Sequence, residues 1–123
     1  MSWHRVVRDD ALAPGGVVAF DGLRDAGVEL VVWRTDGGTV VGCDARCPHQ
    51  WSHLAAAGLV DGDELICLSH WWRFDCAGVG TKRNVLGRVD EKAPVAVHPT
   101  RVTDDGWIEI FHAAEVTRGG STM

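Results

Sequence analysis

Cys47-Pro48-His49 and Cys67-Leu68-Ser69-His70 each hold one thiol and one imidazole within a few residues, and 17 residues separate His49 from Cys67. A thiolate and an imidazole are metal ligands of soft and borderline character, so Cys47, His49, Cys67 and His70 together make a four-donor metal site delivered by two loops. Zinc accepts two Cys and two His, but its structural sites usually present like ligands in pairs, C-x2-4-C and H-x3-5-H. Here each loop contributes one of each. A binuclear iron–sulfur cluster with two thiolates on one iron and two imidazoles on the other explains that division better, because each loop then reaches across both irons.

Other His and Cys residues fit structural roles. Cys43 alternates with Val41 on one face of a strand-like run and reads as a buried small hydrophobe rather than a fifth ligand. Cys76 reads as structural. His53, four residues after His49, is the strongest competitor for a ligand role. His4, His98 and His112 have no partner at metal spacing.

The elements that must position these loops read as β throughout. Val- and Trp-rich runs at 3–7, 17–20, 28–35, 39–44, 59–60, 64–67, 71–75, 95–98, 100–103 and 107–111 alternate with turn signals. Asp36-Gly37-Gly38, Asp61-Gly62-Asp63 and Asp104-Asp105-Gly106 read as hairpin turns, and the second would carry Cys67 out at its end. The one helix candidate, Leu54-Ala55-Ala56-Ala57, is too short to stand alone and is expected as a single turn inside the first loop. The expected fold is all-β, a small antiparallel sandwich or barrel. Residues 1–112 are expected to form a single domain, with the metal-binding portion at about 43–80 and a frayed tail over 113–123.

Length and composition bound the function. A chain of 123 residues has room for one core. Its formal net charge of −5 argues against nucleic acid as a partner. No apolar run reaches the length of a membrane span, and the N-terminus has charges where a signal peptide needs a continuous apolar run. The expected location is the cytoplasm, where the four cysteines stay reduced or metal-bound. Within this acidic chain, Arg73, Lys82, Arg83, Arg88 and Lys92 make a locally basic segment. It reads as a solvated face, or as a guide for a partner if it lies near the metal loops.

The constellation strongly resembles the Rieske family, on Cys47-Pro48-His49 and Leu54 in the first loop and Cys67, His70, Trp72, Phe74-Asp75 and Gly78 in the second. The resemblance implies one [2Fe-2S] cluster per chain, with Cys47 and Cys67 on the inner iron and His49 and His70 on the outer iron near the surface. Ser52 and Ser69 stand where high-potential members carry a loop disulfide. Trp72 and Phe74 stand where those members place Ser and Tyr hydroxyls that hydrogen-bond sulfur. Each missing donor makes reduction less favourable, so a potential near the low end of the Rieske range, on the order of −150 mV, is expected. The pattern is similar to Rieske ferredoxins and to Rieske domains of aromatic-ring and steroid oxygenases.

Trp51 and Trp71 depart even from that group, which usually has Gly at both positions. The indoles either cap the imidazoles and form a docking face, or pack the loops against the strands. The resemblance implies an electron carrier with no catalytic residues, accepting from a flavin or iron–sulfur reductase and delivering to a terminal oxygenase. The alternatives are a domain or subunit of such an oxygenase, and a redox-sensing binding module.

Overall fold

The computed structural model describes residues 2–48 and 51–114. His49 and residues 115–123 of the expected tail lie outside the described residues. Among the described residues twelve strands form in chain order: β1 (Ser2–Arg8), β2 (Val17–Phe20), β3 (Leu30–Arg34), β4 (Val40–Asp44), β5 (Gly58–Asp61), β6 (Glu64–Cys67), β7 (Trp72–Phe74), β8 (Gly80–Arg83), β9 (Val89–Lys92), β10 (Val97–His98), β11 (Thr100–Val102) and β12 (Trp107–His112). One α-helical turn, α1 (Leu54–Ala57), sits where the Ala run placed it.

The strands make three antiparallel sheets, ordered β1-β12-β11, β10-β4-β3-β2 and β5-β6-β7-β8-β9. Among the described residues they do not close into a barrel. The five-stranded sheet carries the second Cys/His loop between β6 and β7, and the first loop enters it through α1 and β5. Two apolar clusters divide the interior. Leu12, Leu23, Leu30, Val32, Ile108 and Ile110 pack between the two smaller sheets. Val31, Trp33, Cys43, Leu54, Leu65 and Phe74 join the loops to the sheet behind them, and Cys47 and Cys67 belong to this second cluster.

Hairpin turns fall where Asp-Gly pairs predict them. Gly62 turns β5 into β6 at φ 65° and Gly106 leads into β12 at φ 88°, a region that glycine enters without a Cβ clash. The β8–β9 hairpin is the element that sequence reading missed. Its strands, Gly-Thr-Lys-Arg and Val-Asp-Glu-Lys, have little apolar content, so no period of two marks them. They form by backbone pairing, β8 against β7 in register Arg73↔Thr81 and Phe74↔Gly80, and β9 against β8 from Gly80↔Lys92 to Arg83↔Val89.

Candidate metal centre

The first loop is a tight excursion from the end of β4. The backbone N–H of Cys47 donates to Ser52 O at 2.9 Å, that of Trp51 to Cys47 O at 2.8 Å, and that of Leu54 to Ala45 O at 2.7 Å. Arg46 braces the outside, donating from Nε and Nη2 to the Glu29 carboxylate at 2.8 and 3.1 Å and from Nη1 to Trp51 O at 3.2 Å. This guanidinium, through its hydrogen bond first, holds the Glu29 carboxyl below its usual range.

The second loop repeats the geometry. Trp71 N–H donates to Cys67 O at 2.7 Å and His70 N–H reaches the same carbonyl at 3.3 Å. Leu68 N–H donates to Ala57 O at 2.8 Å, tying the loop to the end of α1. Between the loops, Ser52 Oγ donates to Ser69 Oγ at 3.1 Å. The two positions where a disulfide would join the loops are thus side by side, bridged by hydroxyls.

Cys47 and Cys67 are both fully buried, each from its own loop. His70 is half-buried, with its Nδ1 atom turned out of solvent. A pair of buried thiols and an inward-turned ring nitrogen supply three of the four donors that a thiolate/imidazole cluster requires. Among the described residues no three His, Cys, Asp or Glu side chains gather to hold a single ion. A binuclear cluster asks for two protein ligands per iron instead, and His49 lies outside the described residues.

The competing residues have other work. His53 caps α1, its Nδ1 accepting from Ala55 N–H at 3.1 Å. Cys43 is buried in the core, where desolvation first and the neighbouring Asp44 second push its thiol up to about 12. Cys76 is half-buried, its thiol donating to Asp63 O at 3.6 Å, and burial raises its pKa too. His98 pairs with Asp44 at 2.8 Å, and its ring lies tilted against that of His112 with centroids 4.9 Å apart. Asp44 and His112, with Pro48 and Trp51, line a half-open cleft of about 340 Å³ beside the first loop.

The motif positions around the second loop explain themselves. Trp72 and Phe74, which carry no hydroxyl, are buried with ring centroids 6.5 Å apart. Asp75 Oδ1 accepts from Ala77 N–H at 2.9 Å and Val79 N–H at 3.0 Å, closing the turn that leaves β7. Gly78 completes that turn at φ 84°, where a Cβ would lie 2.2 Å from Val95 O.

Trp51 and Trp71 adopt φ 62° and 64°, and they are the two non-glycine residues with positive φ among those described. Glycine enters this left-handed region freely; an L-residue does so at a cost of roughly 1–2 kcal/mol. Both indoles point outward, 68% and 59% exposed, so packing of the loops does not account for them. The hydrogen-bonded return to the cysteine carbonyl imposes the conformation, and the side chain follows it into solvent.

An all-β domain with paired thiolate/imidazole loops is a class of iron–sulfur protein. The model of the Rieske [2Fe-2S] domain matches residues 2–97, and the chain belongs to that family. Its members bind a [2Fe-2S] cluster. The chain is 35% identical over 114 residues to cholesterol 7-desaturase nvd of Bombyx mori, across 92% of this chain and 24% of that protein. It is 31% identical over 93 residues to the 4beta-methylsterol monooxygenase of Methylococcus capsulatus, across 75% of this chain and 24% of the other. The chain therefore spans a quarter or less of the length of its first curated relatives. Among solved structures, the ferredoxin of carbazole 1,9a-dioxygenase from Nocardioides aromaticivorans superposes with TM-score 0.70 at 27% identity, over 89% of this chain and 97% of that one. The putative NADH-dependent nitrite reductase small subunit from Mycobacterium tuberculosis shares the fold, with TM-score 0.73 at 23% identity over 93% and 97%.

Proposed function

We propose that this chain carries single electrons, with Cys47 and Cys67 holding one iron and His49 and His70 the other. The observation that carries this reading is the approach of the two loops, with both thiols buried and Ser52 Oγ 3.1 Å from Ser69 Oγ. The bound cluster supplies a one-electron couple and no bond-making chemistry. The residues do the rest: the apolar shell of Trp72, Phe74 and Leu54 excludes water from the thiolate side. The donor is a flavin or iron–sulfur reductase and the acceptor a terminal oxygenase, in keeping with the likeness to a dioxygenase ferredoxin.

Electron paramagnetic resonance of the dithionite-reduced protein, followed by titration of its potential against pH, tests the reading. The expected outcome is a mixed-ligand signal with a potential that falls as pH rises, because reduction raises the proton affinity of ligating imidazoles. An all-thiolate average g value, or an intact signal in His49→Ala, refutes the ligand set. A second reading, the Rieske domain of a sterol-directed oxygenase, is favoured by the match to cholesterol 7-desaturase nvd. Electron delivery to a separate oxygenase separates the two, since a Rieske domain of an oxygenase serves the mononuclear iron of its own protein.

A further inference from the structure

The register of the five-stranded sheet puts the β8–β9 hairpin beside the metal centre. Cys67 pairs with Trp72 at the end of β6–β7 that carries the second loop. Arg73 pairs with Thr81, so β8 runs back toward that same end and Arg83, paired with Val89, passes it. The hairpin tip, residues 84–88, therefore overhangs the loop end of the sheet. It stands two strand spacings, ~10 Å, from the 68–71 loop. At the base of the hairpin, opposite Gly80, the cation of Lys92 lies 5.9 Å from the Trp72 ring.

The tip is built rather than loose. Asn84 Oδ1 accepts from Leu86 N–H at 2.9 Å and Arg88 N–H at 3.0 Å, while Asn84 N–H donates to Arg88 O at 2.8 Å. This scaffold holds Val85 and Leu86 in water, 101% and 89% exposed. Two aliphatic side chains fully exposed on an ordered turn mark a contact surface. With Trp51, Leu68 and Trp71, they make the loop end of the domain apolar and exposed.

Charge tells what this end meets. The loops themselves, 45–57 and 67–72, hold one formal charge, Arg46, already paired with Glu29. The hairpin adds Lys82, Arg83, Arg88 and Lys92 against Asp90 and Glu91, a surplus of two positive charges. The acids lie back along β9, across from Lys82 and Thr81, while Arg83 and Arg88 flank the tip; Arg88 makes an ion pair with Asp90 at 3.8 Å, and that exposed pair is weak. A chain of net charge −5 thus turns a basic-rimmed apolar end toward its partners.

We propose that the β8–β9 hairpin is a docking arm for an acidic electron-transfer protein, whose apolar patch sits against Val85, Leu86 and the two indoles while its carboxylates meet Arg83 and Arg88. The proposal rests on the carrier reading above and names the kind of partner that the carrier meets. Net charge and local charge predict opposite behaviour, which makes the two separable.

The test uses the cluster-loaded protein and, as acidic partner, flavodoxin, whose hydroquinone flavin gives up one electron as the oxidised protein gains one. The rate of that transfer, and the affinity for oxidised flavodoxin by titration calorimetry, are followed against salt. Both are expected to fall as salt rises. Arg83→Glu with Arg88→Glu should cost about tenfold at low salt and abolish the salt dependence. Val85→Ser with Leu86→Ser should weaken binding by a similar factor and leave the salt slope in place. The cluster spectrum and potential stay unchanged in both variants, since all four side chains are exposed. A rate and affinity that rise with salt in the unmodified protein, as net charge alone dictates, overturn the docking arm. So does unchanged binding in both double variants, or no binding at low salt. Binding that the variants weaken without any electron transfer supports the arm and overturns the carrier reading instead.

Discussion

Ser52 and Ser69 meet hydroxyl to hydroxyl, 3.1 Å apart, at the two positions that would clasp the loops by a disulfide. The exposed bond between them contributes about 1 kcal/mol or less. The loops therefore depend on their backbone bonds and, under the proposed ligand set, on the metal to stay together.

Ser52→Cys with Ser69→Cys should form a disulfide on air oxidation, because side chains this close need little backbone movement. Mass spectrometry after alkylation checks it, with two fewer reactive thiols expected than in the reduced form. Stabilisation of the holoprotein should stay below the roughly 3 kcal/mol of a 15-residue disulfide loop. The proposed ligands already close the same loop.

Trp51→Gly and Trp71→Gly should each leave stability unchanged or raise it by up to about 1 kcal/mol, because relief of the left-handed strain outweighs the added freedom of glycine in the unfolded chain. Trp51→Ala and Trp71→Ala keep a Cβ at φ 62° and 64° and should give no such relief. Chemical denaturation of the four variants separates backbone strain from loss of the indole. A glycine variant less stable than its alanine counterpart contradicts the strain argument.

Sequence and structure agree where local chemistry dictates the answer. Strands β2 and β6 fall on the residues that their β-branched and aliphatic runs mark, and Gly62 and Gly106 turn where Asp-Gly predicts. The two loops are legible because a thiol next to an imidazole, twice, has few other meanings. The β8–β9 hairpin was not legible, since Lys82, Arg83, Asp90 and Glu91 belong as readily to a solvated loop, and only the pairing of β8 with β7 and of β9 with β8 makes them strands. Nor was the conformation of Trp51 and Trp71. A departure from glycine was visible, but the return of each N–H to a cysteine carbonyl, which forces the positive φ, is a three-dimensional fact.

His112 should give the protein an acid-sensitive stability. Burial first, then the facing charge of His98, lower its pKa, with Asp44 opposing and His4 adding to the effect. Its Nδ1 accepts from Ala114 N–H at 2.9 Å, a bond that only an unprotonated nitrogen can make. A histidine whose folded pKa is lowered binds its proton more readily when unfolded, so stability falls as pH drops through the ordinary value of 6.5 and levels off below the folded one. In His112→Asn the decline between about pH 7 and pH 5 should be shallower, measured as the difference in denaturation midpoints between the two holoproteins at each pH.

Phe74 is the position at which the low potential can be tested by adding one atom. It is fully buried against Trp72 and shares the apolar cluster of Cys47 and Cys67, with no hydroxyl in place to donate toward sulfur. The unmodified protein should titrate near −150 mV, the low end of the Rieske range. Phe74→Tyr keeps the ring and adds a donor. If that donor reaches a cluster sulfur, it strengthens on reduction and raises the potential. The ceiling is about 130 mV, the equivalent of a charged hydrogen bond of ~3 kcal/mol for one electron. Tens of millivolts are expected, with stability held. If the hydroxyl finds no partner, its burial costs about 1–3 kcal/mol of stability and leaves the potential unmoved. Potentiometry and denaturation on the same sample distinguish the two. An unmodified potential above about +100 mV would remove the premise that missing donors set this couple.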